Sequence, residues 1–270
     1  MGGRFSPTAR AGPNGALFPV IETTIRVLKG LGMLFMFGGF LLGIFVFLCV
    51  VIPLSRVLDR LDGEMPRVER AARVGFGWWL GFMGALGLVR SVPPRGDIFS
   101  GPCVVVANHP GLFDVLYLIR DIPALSVLVK ASLARKLPLG PVLSSLEYVL
   151  VPDYDRVHPL DTAEKALEKI QKGRKVLLFP EGTRSPAGSL RPFRAGAFKI
   201  ARMTGAPIQP VLIRNTPPFL PKEDRWYLPP RQTSRLAVEF WEPLPPPAKG
   251  EERSCARRLE QRYREALGLS

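Results

Sequence analysis

The hydrophobic pattern divides the chain into an apolar N-terminal part and a longer region of alternating strands and helices. From Leu31 to Leu54 no residue is charged and none carries a hydroxyl or amide side chain. As a helix this stretch would extend about 36 Å, enough for a bilayer core of about 30 Å. It predicts a transmembrane helix, or a re-entrant one bent at Gly38, Gly39 and Gly43. Arg4, Arg10, Arg26 and Lys29 precede it, and Arg56, Arg60, Arg67, Arg70 and Arg73 follow it. Both flanks are basic, so charge assigns no orientation. A second apolar stretch, Val74 to Val89, would reach only about 24 Å as a helix. Trp78 and Trp79 near its start suit a membrane interface. It predicts a helix lying in the leaflet, with a core helix of the main domain as the alternative.

From about Asp97 short β-branched runs alternate with helical periodicity. Cys103–Ala107, Ser126–Lys130, Glu147–Val151, Lys175–Phe179, Ile208–Ile213 and Leu236–Trp241 read as strands. Gly111–Arg120, Asp161–Lys172, Ala195–Thr204 and Glu251–Leu267 read as helices. A broken helical region carries Pro138, Gly140 and Pro141. Ala163, Ala166, Leu167 and Ile170 line one face of the second helix, and Gly173 ends it. Pro217–Pro221 and Pro243–Pro247 read as loops. The pattern predicts an α/β fold, a mixed sheet flanked by helices, with an N-terminal membrane helix and an interfacial helix. The expected organisation is an N-terminal segment (1–30), the membrane helix (31–54), a connecting helical region (55–96), the main domain (97–248) and a C-terminal helix (249–270).

The 270 residues are enough for one sizeable domain and an attachment. Lysine and arginine outnumber acidic residues 37 to 23, for a net charge of +14. Anionic partners follow: a membrane surface, nucleic acid or a phosphorylated substrate. The basic residues are spread along the chain without aromatic interleaving, which argues against nucleic acid. Cys49, Cys103 and Cys255 are odd in number and far apart, so no disulfide framework is expected and the main domain belongs in a reducing compartment.

Two segments carry candidate chemistry, each just after an apolar strand. In Asn108-His109-Pro110-Gly111-Leu112-Phe113-Asp114 a turn at Pro110-Gly111 can fold Asp114 toward the imidazole. A carboxylate on one ring nitrogen fixes the tautomer and raises the basicity of the other, giving a general base for a hydroxyl. On these residues alone a structural His–Asp pair is the commoner reading. Two histidines without a cysteine cluster do not supply a zinc site, so no metal is expected. In Phe179-Pro180-Glu181-Gly182-Thr183-Arg184-Ser185 the glycine permits close backbone approach, and Arg184 can pair bidentately with phosphate. In isolation, a polar turn with an ordinary salt bridge is the favoured reading of this segment.

Together the segments resemble the glycerolipid acyltransferase family, which carries an N-H-x-x-x-x-D motif and an F-P-E-G-T-R-S motif. Val129–Leu133 and Ala206–Val211 look like the family's two further blocks, and the resemblance covers about Gly101 to Pro243. Many members carry serine where this chain has Gly111.

The resemblance implies acyl transfer. His109 would take the proton from an acceptor hydroxyl as its oxygen attacks the thioester of acyl-CoA or acyl carrier protein. Asp114 would orient His109. Glu181, Gly182, Thr183 and Arg184 would hold the acceptor, with Arg184 on its phosphate and Lys130 as a second phosphate contact. No cofactor is implied beyond the acyl donor. The expected acceptor is lysophosphatidate, giving phosphatidate, with another lysophospholipid or an amino-acid lysolipid as alternatives. Membrane lipids are the expected partners and a bacterial inner membrane the expected location, with the catalytic domain on its cytoplasmic face. A non-catalytic membrane lipid-binding protein is the alternative of another class.

Overall fold

A computed structural model describes residues 14–62, 67–132, 140–151, 159–220 and 232–269. Among the described residues seven strands form one sheet: β1 (Val89–Ser91), β2 (Val104–Ala107), β3 (Leu125–Lys130), β4 (Val149–Val151), β5 (Lys175–Leu178), β6 (Ile208–Thr216) and β7 (Ser234–Phe240). Their order is β1-β7-β6-β2-β5-β3-β4. β2 to β6 run parallel, β7 is antiparallel to β6, and β1 is parallel to β7. The sheet is therefore mixed.

The central strands are apolar throughout because both faces are covered. Val105 and Ala107 of β2 face one core with Met33, Met36, Leu80, Met83, Leu116 and Ile119. Val104 and Val106 face the other, with Ala166, Phe198, Ala201, Leu259 and Tyr263. This is the two-residue alternation of a strand sandwiched between helices. The first face carries the N-terminal helices and α4 (Asp114–Asp121). The second carries the helices Pro159–Gln171, Gly196–Thr204 and Glu252–Leu267. Tyr263 of the last, fully buried, donates its hydroxyl to the Val106 carbonyl at 2.9 Å and so docks the C-terminal helix on β2.

The N-terminal apolar region is one continuous helical rod: α1 (Asn14–Val46), a π turn at Phe47–Val51, and α2 (Ile52–Asp62). It runs unbroken through Gly38, Gly39 and Gly43, so the bent alternative does not occur there. The irregularity lies ahead of Pro53, which has no N–H for the carbonyl four residues back, and the wider turn accommodates it. Instead Ile52 N–H bonds to the Phe47 carbonyl. Val27–Asp59 is long and apolar enough to cross a membrane, and little of its most apolar part is buried.

The second apolar stretch begins earlier than its pattern predicts. The helix α3 spans Arg67–Ala85, and Leu88 and Val89 turn away into the edge strand β1. Val68, Ala72, Leu80 and Met83 are buried, so one face is a core face. The two tryptophans separate: Trp78 is 79% exposed, while Trp79 packs on Phe40 and Phe113 at 5.1 and 4.7 Å. Trp79 is therefore an anchor between helices and not an interface residue. Adjacent helical residues point about 100° apart, which sends one outward and the other in.

Most other boundaries agree within three residues. The helix expected from Gly111 starts at Asp114, because residues 110–113 form the turn that brings the carboxylate back on His109. Pro138 of the broken helical region lies outside the described residues. Gly140–Ser145 beyond it is a short helix. The loop at Pro217–Pro221 is described as far as Leu220.

Candidate active site

The carboxyl ends of β2 and β5, adjacent in the sheet, carry the two candidate segments. Asn108 follows β2 and extends its pairing with β6 through its side chain. Its amide donates to the Ile213 carbonyl at 2.9 Å and accepts the Ile213 N–H at 2.7 Å. This fixes the chain one residue before His109. The sequence placed Asn108 in the motif but not in this supporting role.

His109 lies with Nδ1 3.0 Å from Asp114 Oδ2. Its ring stacks on Phe179, with centroids 4.1 Å apart and planes 19° from parallel. Nδ1 is thus engaged, and Nε2 is the nitrogen left for substrate. Phe179 is a contributor that sequence reasoning missed. Its only signal was its place as the last apolar residue before Pro180.

Asp114 is 1% exposed. Its Oδ2 also accepts the Gly111 N–H at 2.6 Å. Burial pushes the carboxyl above the ordinary carboxylate range, opposed by the His109 and Gly111 hydrogen bonds and the charge of Arg184. A Cβ on Gly111 would lie 2.7 Å from Asn215 Nδ2, 2.9 Å from the Phe219 carbonyl oxygen and 3.1 Å from Asp114 Oδ1. Only glycine fits this packed turn.

Glu181 is 3% exposed, and its carboxylate turns inward onto backbone. It accepts the His109 N–H at 2.7 Å, the Arg191 N–H at 3.3 Å and the Ser185 hydroxyl. Burial pushes its carboxyl up to about 7, against the pull of these backbone donors. Gly182 has φ +72°, a left-handed turn that favours glycine. Thr183 is half-buried. Arg184 donates from Nη1 to the Leu220 carbonyl at 3.0 Å.

His109, Asp114, Glu181 and Arg184 thus form one cluster. Lys130 ends β3 at the same carboxyl end of the parallel strands, on the far side of β5 from His109. Phe113, inside the turn between His109 and Asp114, packs on Phe37, Phe40 and Trp79, which ties the turn to α1 and α3. Among the described residues no group of three or more His, Cys, Asp or Glu is placed to hold a metal ion.

The arrangement is that of a buried acid orienting a histidine base, with an arginine close by. Residues 89–214 match the family model described as Acyltransferase. A chloroplastic 1-acyl-sn-glycerol-3-phosphate acyltransferase of Brassica napus is 33% identical over 120 residues, covering 44% of this chain and 35% of that protein. The 1-acyl-sn-glycerol-3-phosphate acyltransferase of Saccharomyces cerevisiae is 34% identical over 135 residues, covering 48% and 45%. The matches therefore span less than half the length of these two curated relatives. The solved structure of a 1-acyl-sn-glycerophosphate acyltransferase from Thermotoga maritima superposes with a TM-score of 0.66 at 22% identity, covering 92% of this chain and 96% of that one. That likeness extends the shared fold to nearly the whole chain. The likeness to acyltransferases thus holds in sequence over residues 89–214, and the likeness in fold over nearly the whole chain.

Proposed function

We propose that this protein is a membrane-bound acyltransferase that moves a fatty acyl group from acyl-CoA or acyl carrier protein to the free hydroxyl of lysophosphatidate. The observation that carries the reading is the His109 Nδ1 to Asp114 contact, backed by Phe179 and flanked by Arg184. Nε2 of His109 takes the proton of the acceptor hydroxyl while its oxygen attacks the thioester carbonyl. The tetrahedral intermediate collapses to the new ester. The sulfur leaves and takes the proton back from His109 as a thiol. Asp114 holds the ring in the tautomer this requires and stabilises the imidazolium. Arg184 binds the acceptor phosphate, and Lys130 is a second phosphate contact. Gly182 and Thr183 shape the turn that holds the acceptor. The acyl donor is a substrate, and no resident cofactor or metal takes part in this scheme.

The apolar rod supports a position in one leaflet in preference to a full span. Met33 and Met36 are buried in the main core, and Ile52 is buried against Val68, Val142 and Leu146. A helix docked on the catalytic domain over this length would draw the domain into the bilayer if it crossed. Its other face exposes Leu31, Leu34, Phe35, Leu42 and Phe45, and α3 adds Val74, Trp78 and Phe82. That surface suits acyl chains and brings the site to the headgroups of its lipid substrate. Both acyl donors are anionic and cytoplasmic, which fits a basic domain on the cytoplasmic face of a bacterial inner membrane.

The test is acylation by purified protein in detergent, with labelled acyl-CoA or acyl carrier protein and lysophosphatidate. Phosphatidate formed by wild type and not by His109→Ala is the expected result. A different lysolipid acylated in its place would move the acceptor and keep the chemistry. No product with any lysolipid, in folded protein, would overturn the reading in favour of lipid binding alone.

A further inference from the structure

We infer that Glu181 is a positioning residue that clamps the backbone of His109 and does not contact the acceptor. Its kinetic consequence rests on the acyltransferase reading above; the geometry stands without it.

His109 lies between β2 and α4, outside both elements, so neither a sheet ladder nor a helix takes its backbone groups. The Glu181 turn takes them both. The His109 N–H donates to Glu181 Oε1 at 2.7 Å. The His109 carbonyl accepts the Ser185 N–H at 2.9 Å. The other carboxylate oxygen, Oε2, accepts the Ser185 hydroxyl and the Arg191 N–H. Ser185 Oγ also accepts the Arg191 N–H at 2.9 Å, which closes the network on itself. Once ionised, above about pH 7, the Glu181 carboxylate is acceptor-only, and three of its lone-pair directions are already filled by the protein. With 3% exposure it presents almost no surface to a substrate.

The same segment supplies the rest of the base's frame. Phe179, two residues earlier, stacks on the imidazole. The Arg194 N–H donates to the Pro180 carbonyl at 2.9 Å, holding the turn from its other side. Asp114 fixes how the ring rotates, and the clamp fixes where the ring is mounted. A shift of about 1 Å at a reacting group can cost about a hundredfold in rate. The clamp also links the mounting of the base to the loop that carries Arg184.

The experiment compares wild type, Glu181→Gln and Ser185→Ala. Glutamine keeps the shape but turns an NH2 toward a donor on one side, so the network must open. Expected is a fall in kcat of about 10–100-fold, with the KM for lysophosphatidate within about threefold of wild type. Ser185→Ala leaves the Oε1 bond to His109 and is expected to cost less than about tenfold in kcat. A rise in acceptor KM with kcat kept would make Glu181 an acceptor contact and overturn the proposal.

The second arm needs no activity. The chain has two histidines, His109 and His158. In a His158→Gln background, ¹⁵N-histidine labelling reports one backbone amide. A bond to a carboxylate places that amide proton downfield, and Glu181→Gln is expected to move it upfield. Should Glu181→Gln not fold, Ser185→Ala is read in the same way and is expected to shift the signal less but in the same sense. An unmoved signal in folded protein overturns the clamp. A moved signal in a protein whose wild type acylates no lysolipid would leave the clamp standing and remove the acyltransferase reading.

Discussion

Gly111 donates its backbone N–H at 2.6 Å to the same Asp114 oxygen that faces His109 Nδ1 at 3.0 Å. The turn residue thus steadies the acid, and the acid steadies the base. Asp114→Asn keeps the volume but removes the charge and offers the imidazole an NH2. The ring then loses the tautomer that frees Nε2. Turnover is expected to fall by roughly 10³–10⁴ with little change in thermal stability. Steady-state rates at saturating substrates check this, and a fall below about tenfold would remove Asp114 from the mechanism.

The packing of Gly111 makes a separate prediction. An alanine methyl would meet Asn215 Nδ2 at 2.7 Å and the Phe219 carbonyl oxygen at 2.9 Å. The second contact is backbone and cannot swing away. Gly111→Ala is expected to cost about 1–3 kcal/mol. Activity should fall with it, because the displaced turn carries Asp114. Thermal denaturation of the purified pair checks this, and an unchanged melting temperature would contradict the packing.

Arg184 separates charge from geometry. Its guanidinium reaches the Leu220 carbonyl at 3.0 Å while its charge acts on Asp114. Lysine keeps the charge but loses the planar fork. Arg184→Ala and Arg184→Lys are both expected to raise the lysophosphatidate KM, by about tenfold or more, with donor KM unchanged. Equal effects on donor and acceptor would place the arginine elsewhere in the reaction.

The raised carboxyl of Glu181 predicts how stability depends on pH. An acid held near pH 7 in the fold, against an ordinary value of 4.5, keeps its proton longer when folded than when unfolded. Its contribution is fully present below about pH 4.5 and is lost as pH rises through about 7. Glu181→Gln has no proton to release there. Between those limits the melting temperature of wild type should fall relative to that of the variant. The difference corresponds to about 3 kcal/mol across the window as an order of magnitude. Parallel pH curves would show that Glu181 does not titrate differently on folding.

The two faces of α1 predict opposite outcomes for neighbouring substitutions. Phe35 is 73% exposed and Met36 is fully buried. Phe35→Asp should weaken binding to phospholipid vesicles and leave folding intact. Met36→Asp should destabilise the protein, since it buries a charge without a partner. Vesicle co-sedimentation and thermal denaturation distinguish them. Undiminished vesicle binding by Phe35→Asp would place the lipid contact on another surface.

Much of the chemistry was legible because it is local. His109 and Asp114 are joined by one turn, and both motifs sit at strand ends that apolar runs of β2 and β5 announce. The alternation of Val104 and Val106 with Val105 and Ala107 already states a strand covered on both faces. Less legible was β1, three residues whose strand character comes from pairing with β7 across more than a hundred residues of chain.

The sequence by itself determined the strand-and-helix order, the apolar rod and the candidate histidine, aspartate and arginine. Those features depend on periodicity and on near neighbours. Only the tertiary structure decided which side of each helix meets the core, turning Trp79 inward and Trp78 out. It alone carried Glu181 back across 72 positions to the His109 backbone. A carboxylate in a motif offers the same chemistry to a substrate or to a buried N–H. Which it takes depends on where the fold excludes water, and that is settled by contacts between distant segments.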